Sequence, residues 1–571
     1  MPSSAPPSET TDPAEARLEA GLLVLLCAVV LAYWAFQFQP FVVPNNDYAS
    51  FERTAQSFAA LEAPSSYKRM PILPALMAVV GPLLPGERPY LAAALGWNQL
   101  FSLASLVGLF LLGRRTIGRG ALLLPLLFAT TTQFHANGLQ PLVEPSLGCF
   151  AIWAFVLQGR GSGWQYAFAA AAALSRYEAA VLIPVLFLAE WAERQRLWPP
   201  FWKAALASLP LLLWLGAGAL GGSGGASYYD LMAGMGFQPA PGFFLRSLKE
   251  PFAGWYTSQW IWLVPFAGMV MLPLVAGVVV GLRERRIEAS SMLGFGFVCV
   301  SVIVGFGINK ARYVYSTEWI WLLFWVWGVF RLAEWTALSL ERFRESRARV
   351  AAIAGFVLSG LALAFWLRKM VGEAQTVSLG IEFAFLVFAL VFAGTAILRG
   401  LATVATRPWR VAVAAALLVA VVPLVAGGMV GKQRALHKIF YSNWSAFRVA
   451  EWLQDNLRPG EKVALLPRTH VVHLAGLSPQ RLVSYSGFEA EDLEGLLPEF
   501  ERKGISLAVF TDRGPLRNPS HHHYYRLKKV YLAEIFETGA SVPGFEHVAT
   551  LPLPEHLDEK DVQIYRFVGK R

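Results

Sequence analysis

Charge is scarce in this chain. Of 571 residues only 15% are Asp, Glu, Lys or Arg, against 55% hydrophobic, where a soluble domain carries roughly a quarter charged residues. The deficit comes from apolar runs of about 17–23 residues, the length that crosses about 30 Å of hydrocarbon. It excludes a purely soluble protein. Cysteine is scarcer still: Cys27, Cys149 and Cys299 all fall inside apolar runs, where a thiol behaves as a small hydrophobe. That excludes a disulfide framework and a cysteine-held zinc. Internal repeats and low-complexity tracts are absent as well. The segment 1–19 is polar, Pro/Ser-rich and acidic, with Arg17 its only basic residue. It lacks the basic n-region and small-residue cleavage site of a signal peptide, so 20–36 reads as a retained anchor.

What the chain does have is a long succession of apolar runs. Candidate spans are 20–36, 90–112, 120–134, 142–158, 164–175, 177–191, 204–220, 258–281, 290–307, 314–335, 351–367, 380–398 and 411–430. The reading is a polytopic α-helical membrane protein with about thirteen transmembrane helices and a small C-terminal α/β domain outside the cytoplasm. The odd number puts the termini on opposite sides. The net charge of +10 follows the positive-inside pattern and implies no nucleic-acid partner. Arg114 and Arg115, Arg194 and Arg196, Arg283 to Arg286, Arg342 to Arg349, and Arg407 with Arg410 all share one side if the N-terminus is cytoplasmic. Residues 1–19 are then a cytoplasmic tail and 20–431 a membrane domain with outer loops at 37–89 and 221–257. Residues 432–571 form the extracytoplasmic domain. A bacterial inner (plasma) membrane is the expected location.

The stretch Trp164 to Trp191 tests this orientation. As one helix it would be about 42 Å long, too long for a simple crossing, and it would invert every later loop. Two short helices meeting at Arg176-Tyr177-Glu178 on the outer side keep the arginine pattern. Tyr48 to Leu61 has the period of an amphipathic helix, and the Pro-punctuated run up to Leu84 is short enough to lie along the interface. The loop 221–257 opens Gly-Gly-Ser-Gly-Gly and reads as a mobile lid. Its glycines have no strand-to-helix context, so a phosphate-cradling P-loop is rejected. After Lys432 helix and strand alternate: helices at 445–457, 489–502 and 524–536, strands at 462–466, 505–511, 547–551 and 562–568.

Polar residues gather at the outer ends of these spans. Asp47 opens the first outer loop, and Lys68-Arg69 closes its polar part. Glu144 heads the fourth span, Arg176 and Glu178 sit at the hairpin apex, and Arg312 leads into the tenth span. Charges at membrane depth cost about 2.5–3.5 kcal/mol each on insertion scales and usually pair or line a cavity. Each also has a plainer role. Asp47 can cap a helix, Lys68 and Arg69 can snorkel to headgroups, and Glu144 can favour a helix start. Arg176 and Glu178 can neutralise one another, and Arg312 can be a stop-transfer charge. Together, cations with two or more acids on one face suit transfer of a group from a lipid phosphate. Cations would hold the phosphate and a carboxylate would take a proton or hold a metal. His135 could join Glu144 in a metal site or be a loop histidine, and His521-His522-His523 could be a metal tract or a solvated loop.

The order of these elements resembles the GT-C glycosyltransferases, in the branch that holds protein O-mannosyltransferases and lipid A aminoarabinose transferases. The features are Asn46-Asp47-Tyr48 after the first span, Tyr67-Lys68-Arg69-Met70-Pro71-Ile72-Leu73-Pro74, Glu144-Pro145, Leu174-Ser175-Arg176-Tyr177-Glu178 and Ala311-Arg312-Tyr313. The resemblance covers residues 15–430. It implies an inverting transferase that takes a sugar from a polyprenyl-phosphate donor to a glycan, lipid or protein acceptor. By that likeness Asp47 is the catalytic acid/base, with Lys68 or Arg69 near the donor phosphate. Tyr48, Glu144, Arg176, Tyr177, Glu178, Arg312 and Tyr313 are the expected substrate-binding positions. No cofactor is assigned, and a divalent metal stays open. Tyr48 stands where the mannosyltransferases show a second acid, and the C-terminal domain is not one they carry. The alternative is a transporter or flippase for a lipid-linked sugar, against which the hydropathy shows no paired halves.

Overall fold

The computed structural model describes residues 13–37, 47–64, 66–67, 69–86, 88–220, 242–255, 267–305, 311–340, 345–373, 379–402, 407–441, 444–466, 471, 474–511, 524, 527–538, 542–553 and 561–569. They fall into two compact units, Met1–Phe38 with Phe51–Arg434, and Gln39–Ser50 with Ala435–Arg571.

The first unit is helical. Its elements are α1 (Pro13–Gln37), α2 (Tyr48–Ala59, from Phe51 onward), α3 (Ile72–Val80), α4 (Pro89–Thr116), α5 (Leu123–Ala129), α6 (Thr132–Gly138), α7 (Glu144–Gln158), α8 (Gln165–Ser175), α9 (Leu182–Arg194) and α10 (Trp198–Leu220). There follow α11 (Gly242–Lys249), α12 (Leu272–Glu284), α13 (Arg286–Gly305), α14 (Tyr315–Leu340), α15 (Glu345–Glu373), α16 (Leu379–Gly400) and α17 (Arg407–Tyr441). Among the described residues seven helices are long and apolar enough to cross a membrane, within α1, α4, α10, α13, α15, α16 and α17.

One break falls where the sequence placed it, and one expected span is interrupted. The Trp164–Trp191 stretch breaks at Arg176, whose backbone is extended (φ −154°, ψ 144°) between α8 and a 3-10 turn at Tyr177–Val181. The run 120–134, expected as one helix, is divided into α5 and α6. The cause is local: Thr130, Thr131 and Thr132 offer the backbone alternative partners. Thr131 caps α6 by accepting the Phe134 amide at 3.2 Å.

Ion pairs gather helix ends at one level. Glu15 and Glu19 of α1 meet Arg114 (3.3 Å), Arg119 (3.2 Å) and Arg399 (3.3 and 3.5 Å). Arg115 pairs with Glu288, and Arg331 bridges Glu284 (2.8 Å) and Glu334 (2.7 Å). The starts of α1 and α13 and the ends of α4, α12 and α16 therefore share one face, here called the arginine face.

The closest helix crossing is α12 on α14. A Cβ on Gly277 would lie 1.8 Å from the Phe324 carbonyl oxygen, and one on Gly328 1.8 Å from that of Pro273. Small residues let backbones approach where lipid supplies no hydrophobic drive between helices. Gly328→Ala is expected to destabilise the unit by about 1–3 kcal/mol. Gly294→Ala, with nothing within 4 Å of the added carbon, should not lower the melting temperature in detergent and can raise it, because alanine is the better helix former.

The second unit is α/β. α18 (Trp444–Asn456) leads to β1 (Val463–Leu465) and β2 (Leu482–Ser484). α19 (Leu493–Lys503), β3 (Leu507–Phe510), α20 (Val530–Thr538), β4 (Phe545–Leu551) and β5 (Val562–Phe567) complete it. The five strands run in the order β2-β1-β3-β5-β4. β1 is parallel to β2 and β3, and β5 is antiparallel to β3 and β4. α18 covers one face through Val449 and Leu453 against Val463 and Leu507. α19 and α20 cover the other through Leu496, Phe500 and Leu532 against Ala508 and Phe510. Two details depart from the expected elements. β2, only three residues long, carried no readable alternation. The last helix, expected from 524, starts at Val530 after a turn at 527–528, while Tyr524 is itself helical and fully buried.

Glu461 ties the strands' entry together. Burial alone would raise its pKa, but the Arg458 amide (2.9 Å) and the Arg566 guanidinium (2.6 Å) hold it below the ordinary carboxylate value. A lowered native pKa means stability that is fully present above the unfolded value of about 4.5 and lost as pH falls through the native one. Protection factors of the β3 and β5 amides in the full chain, corrected for the intrinsic exchange rate at each pH, should therefore fall as pH drops below about 4.5. Glu461→Gln should flatten that dependence.

Candidate functional site

Opposite the arginine face, three chain segments bring their charges together. α7 starts at Glu144 with Pro145 in its first turn, a placement suited to a helix start. The Glu144 carboxylate faces the positive end of the helix and is only 1% exposed. Ser146 donates to Ser175 Oγ at 3.1 Å, which fastens the end of α8 to the start of α7. That contact sets the extended Arg176 beside Glu144. The third segment is the 3-10 turn Ala311–Val314, which feeds α14 and supplies Arg312 and Tyr313.

Arg176 Nη1 donates to Glu144 Oε1 at 2.8 Å, and its Nε donates to Glu178 Oε1. Arg312 Nε lies 3.5 Å from the same Glu144 oxygen. The Tyr313 ring is flanked by both guanidiniums, at 4.2 Å from Arg176 and 5.1 Å from Arg312, and its hydroxyl accepts from Arg312 Nη2 at 3.2 Å. Such contacts hold a guanidinium electrostatically without consuming its hydrogen-bond donors. Glu144 Oε2 is buried and has no hydrogen-bond partner among the described residues. The site thus offers two planar cations and one open carboxylate oxygen.

Glu144, Arg176, Glu178, Arg312 and Tyr313, all singled out from sequence, are brought together. Tyr177 turns the other way and donates to the Tyr67 carbonyl at 3.5 Å. This connects the break to the polar segment that carries Arg69, whose guanidinium lies 5.5 Å from the Phe51 ring centre. Lys68 and the three histidines His521, His522 and His523 lie outside the described residues, as does most of the Gly-rich loop 221–257. Asp47 immediately precedes α2, its carbonyl accepting the Ser50 amide at 3.1 Å, and Tyr48 is buried. Both fall in the second unit.

His135 is enclosed by Trp34, Tyr33 and Phe385, and its Nδ1 accepts from Trp34 Nε1 at 3.0 Å. Among the described residues no group of three or more His, Cys, Asp or Glu side chains is placed to hold a metal. Several buried acids were not singled out from sequence, Glu318 and Glu382 among them. Glu318 accepts from Thr131 Oγ1 at 2.9 Å, and Glu382 accepts from the Tyr33 hydroxyl. The signal was present, since each is an acid inside an apolar run.

Arg176 is the hub of the cluster. Arg176→Gln would leave two buried carboxylates short of a cation, a loss of about 3–5 kcal/mol for a broken buried pair. The double variant Glu144→Gln/Arg176→Gln is expected to cost less than the sum of the single changes, measured as melting temperatures in detergent.

No protein-family model matches the chain, and none of the curated proteins is detectably similar to it. Solved structures do match. ArnT from Cupriavidus metallidurans in the apo state aligns with a TM-score of 0.54 at 14% identity, over 96% of this chain and 98% of that one. The same enzyme bound to undecaprenyl phosphate gives 0.52 at 14% identity, again over 96% and 98%. The archaeal oligosaccharyltransferase AglB from Archaeoglobus fulgidus, in complex with an inhibitory peptide and a dolichol-phosphate, gives 0.53 at 11% identity over 95% and 81%. The fold is that of the GT-C membrane glycosyltransferases, and the alignment runs through both units.

Proposed function

We propose that this chain is an inverting glycosyltransferase of the membrane, moving a sugar from a polyprenyl-phosphate donor to an extracytoplasmic glycan, lipid or protein. The observation that carries the reading is the Glu144–Arg176–Arg312 cluster, buried at helix ends on the face opposite the arginine belt. The fold supports it, as do the undecaprenyl phosphate and dolichol-phosphate bound to ArnT and AglB.

In this reading the anomeric carbon is attacked by an acceptor hydroxyl. The new carbon–oxygen bond forms as the bond from that carbon to the donor phosphate oxygen breaks, with inversion, and polyprenyl phosphate leaves. Asp47 takes the proton of the attacking hydroxyl. Arg176 and Arg312 stabilise the charge gathering on the phosphate. Their cluster is neutral as it stands, two guanidiniums against two carboxylates, so Lys68 and Arg69 supply the excess positive charge that a phosphate needs. Tyr48, Tyr177 and Tyr313 are assigned to the sugar and phosphate surroundings. The proposed topology is about thirteen crossings of a bacterial inner membrane, with the N-terminus cytoplasmic and residues 432–571 outside.

Asp47→Asn, inserted and folded as the native chain is, should lose at least about a hundredfold in transfer from a radiolabelled polyprenyl-phosphate sugar, the usual scale for removing an acid/base group. Native turnover in that variant would remove Asp47 from the chemistry. Lipid flipping in liposomes without any turnover by the native protein would overturn the transferase reading.

A further inference from the structure

The proposed chemistry leaves unused a cavity of about 290 Å³ walled by α12, α14, α15 and α17. Leu332, Ala351, Val413 and Ala420 line it, with Thr336 the one hydroxyl-bearing residue and Trp409 at one end. It lies toward the arginine face, since its α14 wall contains the stretch from which Arg331 reaches Glu284. From Trp409 to Ala420 along α17 is eleven residues, about 16 Å of helix at 1.5 Å per residue. The cavity is therefore a slot running from the arginine face into the hydrocarbon. Ala351 and Ala416 are exposed, so the slot opens sideways.

The charges at its mouth are placed by helical spacing. Arg347 is four residues before Ala351 on α15, and Arg410 is three residues before Val413 on α17, so each lies one turn beyond a lining residue on the same helix face. Trp409 adds an indole of the kind that favours the membrane interface. An apolar slot of acyl-chain length below two guanidiniums is complementary to one molecule: a lipid with an anionic headgroup. We infer that this slot binds an anionic phospholipid, its acyl chain between α14, α15 and α17 and its phosphate against Arg347 and Arg410. The sugar donor is a poor occupant, because its phosphate belongs with Arg176 and Arg312 on the opposite face.

The full chain in detergent is titrated with phosphatidylglycerol and with phosphatidylcholine of the same acyl chains, and bound lipid is counted by native mass spectrometry. The native chain should prefer phosphatidylglycerol by at least about tenfold, the scale expected for two basic residues meeting an anionic lipid. Arg347→Gln/Arg410→Gln should bring the two lipids within about twofold of each other. Ala416→Trp, which fills the slot from an exposed position, should weaken both by at least about tenfold; Ala351→Phe replaces it if that variant does not fold. Equal binding of the two lipids to the native chain would overturn the proposal, as would native phosphatidylglycerol binding by the filled variant. Displacement of phosphatidylglycerol by undecaprenyl phosphate at equal concentration would assign the slot to the donor's tail and overturn it too.

Discussion

Glu144 holds the candidate site together through a single oxygen. Its Oε1 receives Arg176 at 2.8 Å and stands 3.5 Å from Arg312, so three segments far apart in the chain meet on one atom. Two guanidiniums at a nearly dry position would repel each other without it, and the carboxylate would be costly there without them. The arrangement therefore survives only as a unit. It also explains why the α8–α9 break falls where it does. A continuous helix through residue 176 would carry the arginine along the helix face, whereas the extended backbone there lets it span Glu144 and Glu178 at once.

The same logic recurs at the other face. Glu15 and Glu19 gather arginines from the end of α4, the turn after it and the end of α16, and Arg331 draws α12 and α14 together at the level of Glu284. Between these two polar levels, packing depends on close approach. Gly277 and Gly328 allow α12 and α14 to touch backbone to backbone. Both faces are fastened by ion pairs between distant helices, and both keep buried polar atoms without a hydrogen-bond partner, Glu19 Oε1 on one and Glu144 Oε2 on the other.

Much of this was legible in the residue order. Among the described residues the apolar runs are helical, because a stretch with no charge to hydrate can satisfy its backbone in lipid only by coiling. Arg176-Tyr177-Glu178 announced a break for the same reason. Part of the cluster was legible too: Glu144, Arg176, Glu178 and Arg312, which do meet, stood out because charged residues are rare here. Three features were not. The threonine-run interruption between α5 and α6 looked like continuous apolar sequence. β2 was too short to show a period. Glu318 and Glu382 were passed over because their partners, Thr131 and Tyr33, are 187 and 349 residues away.

By itself, then, the sequence determined the apolar character of the helices, the mixed helix-and-strand texture that follows them, and the bunching of arginines at helix ends. Those follow from local composition, which needs no partner. Tertiary structure decided which acid meets which arginine, that Tyr177 turns away while Arg176 turns in, and that one Glu144 oxygen stays open. It also decided that Asp47 and Tyr48 group with the second unit. A pairing energy depends on distance and burial, and neither is set until distant helices have packed.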